Sequence, residues 1–392
     1  MINKENLFTH QSLENAECET SKNTLSNYIL KELPTDLCNV RNGDMTYDSL
    51  SDKHSAIILN LQAEGIGPQN RDEAAIQQLD LVFMMGSYLP GDNFSDCPDE
   101  VIELAREQAG KYQLSPHMDY ELVIDVNSKE FERTGNMRTF LDGAQGLAER
   151  DFYYGHYLSE RQIRNTALQL NSIVMNPRSS DDVRASLLDA ATSMKEFKDH
   201  MLKYAKLSRD AFGSMRPYLV SYPDGTRNAS GAFMPSVQLA ELMLHSPSVE
   251  HQSYISESMP YFPLWARDLM AEWSQLSLGG HNITSLIEDG RLNLDTESIQ
   301  LVKSMSDDFY KFRTIHLGIT KKQIPEAFEG RNVPTSRKQI AKFGEPDIMA
   351  DGVPGTAGFD IVNILGGSAS RLAGLRARLE KHEDTRSGED KA

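Results

Sequence analysis

This 392-residue chain is expected to be mainly α-helical, with a larger helical bundle in its C-terminal part and a smaller N-terminal part that is helical with minor β. Three observations support this. Beyond residue 135, apolar residues recur at alternating three- and four-residue spacing, the repeat of a helix face. The clearest such run is Val302, Met305, Phe309, Phe312, His316 and Ile319. Only one short stretch, Tyr120 to Val126, alternates in the manner of a strand.

Taken in order, residues 1–28 are polar and poor in large apolar side chains, which describes a loosely docked arm. A smaller domain is assigned to 29–134. Its helical segments contain Ile57, Ile58, Leu59 and Leu61, then the run from Leu79 to Leu89, which Pro90-Gly91-Asp92-Asn93 ends as a turn. A further helix covers Asp99 to Ala109, and Thr134-Gly135-Asn136 marks the boundary. The larger domain spans 135–378. There, Asn176 to Asp181 is a turn carrying a helix N-cap, and it opens an amphipathic helix through Val183, Leu187, Phe197 and Met201. Residues 379–392 form a charged tail without core positions.

The net charge of −17 argues against a nucleic-acid partner, because binding a polyanion draws on concentrated basic surface. No apolar run reaches membrane-spanning length, and no apolar stretch follows the polar N-terminus. Three widely separated cysteines, Cys18, Cys38 and Cys97, suit a reducing compartment and give no metal-site spacing. The expected setting is cytoplasmic, as a monomer or homodimer.

Chemistry concentrates late in the chain. His316 sits in the apolar seam of its helix, with Arg313 three residues earlier on the same flank. A buried imidazole must satisfy its nitrogens, either as a core residue bonded to a carbonyl or water, or as a metal ligand. Arg216 lies among apolar and small residues in Phe212-Gly213-Ser214-Met215-Arg216-Pro217-Tyr218, where it is either one half of a structural ion pair or an anion-binding group. The cluster Phe152-Tyr153-Tyr154-Gly155-His156-Tyr157 either lines a pocket or fills a bundle core. Pro354-Gly355-Thr356-Ala357-Gly358 is a small-residue turn opening a helix.

In order and approximate spacing, Met215-Arg216-Pro217-Tyr218, Val237 to Leu244 with Glu241, Met259-Pro260, Phe312-Arg313-x-x-His316-Leu317 and Gly355-Thr356-Ala357-Gly358 resemble the heme-dependent indoleamine/tryptophan 2,3-dioxygenase superfamily. The similarity is greatest to its monodechloroaminopyrrolnitrin synthase branch and covers roughly residues 135 to 378. The resemblance implies that 135–378 is a heme-binding bundle and that His316 is the proximal ligand of a b-type heme. It puts Arg313 near a propionate with Glu241 in the same network, Arg216 on a substrate carboxylate, Phe212 beside the substrate, and Gly355 and Thr356 in a loop closing over it. His156 and Tyr157 are the distal candidates.

The implied activity is oxygenation of tryptophan or a related, possibly halogenated, indole amino acid with O2, by dioxygenation or ring rearrangement at indole C2–C3, in specialised metabolism. The alternatives on the same scaffold are hydroxylation or N-oxygenation of another aromatic or amine, and non-catalytic heme binding or sensing. Two positions depart from the family pattern: Ala357 replaces a glycine in the loop, and Ile324 stands where the synthase branch has a tyrosine.

Overall fold

The computed structural model describes residues 24–65, 67–176 and 179–323. Fourteen α-helices and short 3-10 segments, with no strand, make up the ordered elements among these residues, so the protein is mainly α.

The N-terminal part holds α1 (Thr24–Lys31), α2 (Leu33–Asn42), α3 (Tyr47–Glu64), α4 (Arg71–Gly86), α5 (Asp99–Tyr112) and α6 (Asn127–Thr134). The polar arm was expected to reach residue 28, but α1 already begins at Thr24 and buries Leu25 and Tyr28. These two apolar side chains, spaced three apart, are enough to dock the helix against α4. The α4 helix is almost wholly enclosed from Ala74 to Gly86, and Asn70 caps it by accepting a hydrogen bond from Glu73 N.

The strand expected at Tyr120–Val126 does not form. Glu121–Val126 is instead a π-helical turn that runs directly into α6. Leu122, Val123 and Ile124 are all buried in succession, so the segment has no solvent face, and no neighbouring strand among the described residues offers it a ladder.

The C-terminal part is organised by α7 (Gly143–Met175), a 33-residue helix, with α8 (Ser180–Lys203) packed along it. Short helices follow: α9 (Arg209–Met215), α10 (Pro235–Leu244), α11 (Val249–Ser258), α12 (Leu264–Leu278) and α13 (Ile283–Glu288). The last described helix, α14 (Thr296–Gln323), lies against α8 and α9. Buried Glu149 on α7 accepts hydrogen bonds from Phe140 N, Leu141 N and Tyr153 Oη, at 3.0, 2.9 and 2.8 Å, which ties the preceding loop to the helix. Phe140 stacks on Phe83 of α4 at 4.5 Å and on Tyr218 at 4.6 Å. The buried apolar side chains form one connected cluster from Leu25 to Phe312. No described helix is long and apolar enough to cross a membrane.

Candidate functional site

The site is built on α14. Asp295 caps its start by accepting a hydrogen bond from Ser298 N at 2.7 Å. The expected seam is present, with Val302, Met305, Phe309 and Phe312 buried and His316 and Ile319 partly enclosed. On the facing helix α8, Phe197 meets Phe312 edge-on at 4.6 Å and Lys198 binds Asp308 at 2.6 Å. These contacts fix the angle at which the last turns of α14 present His316.

The His316 ring lies 5.7 Å from that of Phe312. Its Nδ1 is sealed from solvent and has no hydrogen-bond partner. Burial first, then the charge of Arg313 and the presence of His156, hold the imidazole down to about 3, so it is neutral at physiological pH.

Arg313, one turn earlier, is also buried, and its Nη2 donates to Glu241 Oε2 of α10 at 2.6 Å. Two residues 72 positions apart in the chain are thus bonded directly to each other. Glu241 is fully enclosed, and His245 Nε2 and His251 Nδ1 stand 3.7 and 3.9 Å from its Oε1. His251 Nε2 is held in turn by Gln238 Oε1 at 2.9 Å. The guanidinium also lies over the rings of Phe309 and Phe312. A positive charge is therefore locked beside His316, and breaking a buried pair of this kind typically costs about 3–5 kcal/mol.

Across from α14, α7 contributes His156. Its Nδ1 donates to Phe152 O at 2.8 Å, one turn back, which leaves the lone pair on Nε2. Burial holds this imidazole neutral as well, at about 4. Its ring packs on Phe152 at 4.4 Å and on Tyr204 at 4.7 Å. Phe152 reaches Phe212 of α9 at 6.2 Å. Arg216 follows Phe212 by one turn, with its backbone N–H donating to Phe212 O, so the two side chains share a flank.

Arg216 is buried, and its Nε and Nη2 have no partner. No carboxylate among the described residues pairs with it, and burial alone lowers the guanidinium to about 10. Of the two readings open for Arg216, the internal ion pair is absent among the described residues.

The structure therefore gathers His316, Arg313 and Glu241 on one side, and His156, Phe212 and Arg216 on the other. Tyr157 is not brought to this place. Its hydroxyl donates to Glu132 at 3.2 Å and its ring lies under Arg161, on a different flank of α7 from His156. Gly355 and Thr356 lie outside the described residues. Tyr204, His245 and His251 were not singled out in the sequence, although the i, i+4 spacing of Glu241 and His245 within an apolar helix was a usable signal.

Among the described residues, no three His, Cys, Asp or Glu converge to hold a bare metal ion. A single neutral imidazole is enough for an iron whose other ligands come from a macrocycle, and the His316 ring is only partly enclosed and has no hydrogen-bond partner among the described residues. The residues present fit such a group. An open hollow lined by Leu61, Gln77, Leu104, Gln108 and Tyr112 lies elsewhere, between α3, α4 and α5. No protein-family model and no curated protein matches this chain.

Proposed function

We propose that the protein is a heme-dependent oxygenase of the indoleamine/tryptophan dioxygenase type, acting with O2 on tryptophan or a related indole amino acid. One observation carries the reading. Two polar side chains, His316 with its Nδ1 sealed from solvent and buried Arg216, have no side-chain partner among the described residues, and an aromatic residue stands one turn before each, Phe312 and Phe212. Each unmatched group costs folding free energy, several kcal/mol for a buried charge and about 1–3 kcal/mol for a neutral polar group. A ligand offering an iron centre to one and a carboxylate to the other would recover that cost on binding.

His316 would hold the heme iron, and Arg313, braced by Glu241, would keep positive charge beside it. Bound heme supplies the activation of dioxygen. The chain's own part is to orient the substrate and exclude water. Arg216 presents two parallel donors that suit a carboxylate bidentately, and Phe212 and Phe152 offer ring faces for an indole. His156 keeps its Nε2 lone pair uncommitted, so it can accept a hydrogen bond from a ring N–H.

The test is optical and analytical. Heme-reconstituted protein should show a Soret band that His316→Ala abolishes, and the reduced holoprotein should consume oxygen with tryptophan or a halogenated tryptophan, giving an oxygenated indole product by mass spectrometry. A heme titration without a Soret shift, or a band unchanged in His316→Ala, rejects the assignment of His316. Bound heme without oxygen uptake on any indole rejects the substrate class.

A further inference from the structure

The face of α7 that carries His156 continues into polar groups that the proposal above does not use. Ser159 and Glu160 follow His156 at i+3 and i+4, so all three share one flank of the helix. Glu160 is fully buried. Its Oε1 accepts a hydrogen bond from Ser236 N at 3.2 Å and lies 3.5 Å from Arg164 Nη2, while its Oε2 has no partner. The hydroxyls of Tyr120, Ser159, Ser236 and Tyr204 are enclosed in the same region, that of Ser236 turned toward Glu160 and that of Tyr204 toward Ser159.

Tyr204 joins this set to the candidate site. Its ring packs on the His156 imidazole, and its hydroxyl faces that of Ser159. The same hydroxyl comes so near α7 that a Cβ at position 155 would lie 2.6 Å from it, so Gly155 is what permits the approach. At the far end, Arg164 reaches Asp125 at 3.9 Å, lies over Trp265 at 4.2 Å, and is about a quarter exposed. The polar row therefore runs from the imidazole to the protein's edge.

A packing role explains this row poorly. Glu160 Oε2 and the Tyr120 hydroxyl are enclosed without a hydrogen-bond partner, and an apolar side chain at either place would avoid that cost at nearly the same shape. Hydroxyls both donate and accept, which is the property that passing a proton requires.

We propose that Glu160 is the proton-exchanging carboxyl of the site, acting through His156 by way of the hydroxyls of Tyr120, Tyr204 and Ser159. The inference rests on the reading of His156 as a site residue. Because Nδ1 is committed to Phe152 O, the exchanging nitrogen is Nε2. Each hop breaks one N–H or O–H bond as the next forms, and the bonding electron pair stays on the atom that releases the proton. Oε2 takes the proton and later returns it, so the carboxyl is unchanged over a cycle and no oxidant or reductant is consumed. The groups facing Glu160 are Arg164 on its own helix, Asp125 and Tyr120 from the region of the π turn, and Ser236 of α10, while Tyr204 lies beyond Tyr120. Burial raises Glu160 to about 7, with Arg164 and the Ser236 hydrogen bonds opposing and Asp125 adding, so both protonation states are populated near neutrality.

Infrared difference titration of the full chain, with carbon-13-labelled glutamate, tests the carboxyl without any cofactor. Subtracting Glu160→Gln from the wild type should isolate a carboxylic-acid band that gives way to carboxylate near pH 7, with a midpoint that moves upward in His156→Phe. No titrating difference band, or a midpoint indifferent to His156, overturns the proposal. In heme-loaded, indole-oxidising protein, Glu160→Gln should lower kcat by about 10²-fold at unchanged KM and remove the neutral limb of the pH–rate profile, with partial rescue by Glu160→Asp. An unaltered profile, or an effect on KM alone, overturns it as well. Protein that binds no heme or oxidises no indole counts against the function proposed above, and the infrared arm then decides on Glu160 by itself.

Discussion

Two histidines divide this molecule. His54, in α3, is clasped between the hydroxyls of Tyr28 and Tyr88 at 2.8 and 2.9 Å, and both tyrosine rings meet it edge-on. The His316 imidazole has no hydrogen-bond partner among the described residues. Burial depresses both imidazoles to about 3, so titration does not tell them apart. The arginines repeat the contrast. Arg138 is enclosed and bonded to Asp80 at 2.8 Å, while Arg216 is enclosed without a carboxylate. The difference teaches that burial of a polar group is not itself a functional signal. The informative quantity is whether the fold has supplied a partner.

The largest expected effect separates the arginines. Arg138→Met strands Asp80 in the core and should cost about 3–5 kcal/mol in urea unfolding. Arg216→Leu should leave stability unchanged or raise it, because it removes an uncompensated charge, while weakening binding of indole carboxylates relative to indole itself. A destabilisation by Arg216→Leu as large as that from Arg138→Met would mean that Arg216 has a structural partner after all.

A smaller effect separates the histidines. His54→Phe takes a partner from two buried tyrosine hydroxyls, of which Tyr28 keeps its bond to Asp36 at 3.0 Å, so the expected loss is about 1–3 kcal/mol for the Tyr88 hydroxyl. His316→Leu should cost less than about 1 kcal/mol in the heme-free protein, because the hydrogen bonds it would break do not exist. Equal losses in the two variants would remove the distinction on which the metal assignment rests.

The smallest effect is in pH dependence. His54 titrates at about 3 in the folded chain, below the unfolded imidazole. The unfolded state therefore binds more protons as pH falls below the ordinary histidine range, and the stability that His54 contributes is complete above that range and lost as pH falls toward 3. Removing His54 removes this loss. The stability gap between wild type and His54→Phe should thus narrow on acidification, by about 1.4 kcal/mol per pH unit. Urea midpoints at neutral and mildly acidic pH check the sign. Buried Glu149 and Glu160, both raised to about 7, act in the opposite direction and are common to both proteins, so they cancel in the comparison.

The helical character of the chain, the start of α8 at its Ser179 cap and the seam of α14 were all legible in sequence, because helix periodicity and capping are local properties. The π turn at Glu121–Val126 was not, because three successive apolar residues are compatible with any fully enclosed backbone, and only the surrounding helices decide which one forms. The docking of α1 was missed for a related reason, since two apolar residues in a polar stretch carry little signal until α4 is there to receive them. Within the site, the inward direction of His316 and the common flank of Phe212 and Arg216 follow from spacing alone.

Spacing could not say which polar groups would find partners. Arg313 and Arg216 are alike in sequence, each a cation among apolar residues, yet one meets Glu241 from 72 positions away and the other meets no carboxylate among the described residues. The same holds for the turning of Tyr157 toward Glu132 and of Tyr204 onto His156. Sequence by itself determined which faces point inward, because that depends on the helical repeat. Only the tertiary structure decided which inward groups are satisfied, because a hydrogen bond or ion pair forms only where two distant segments bring donor and acceptor within about 3 Å.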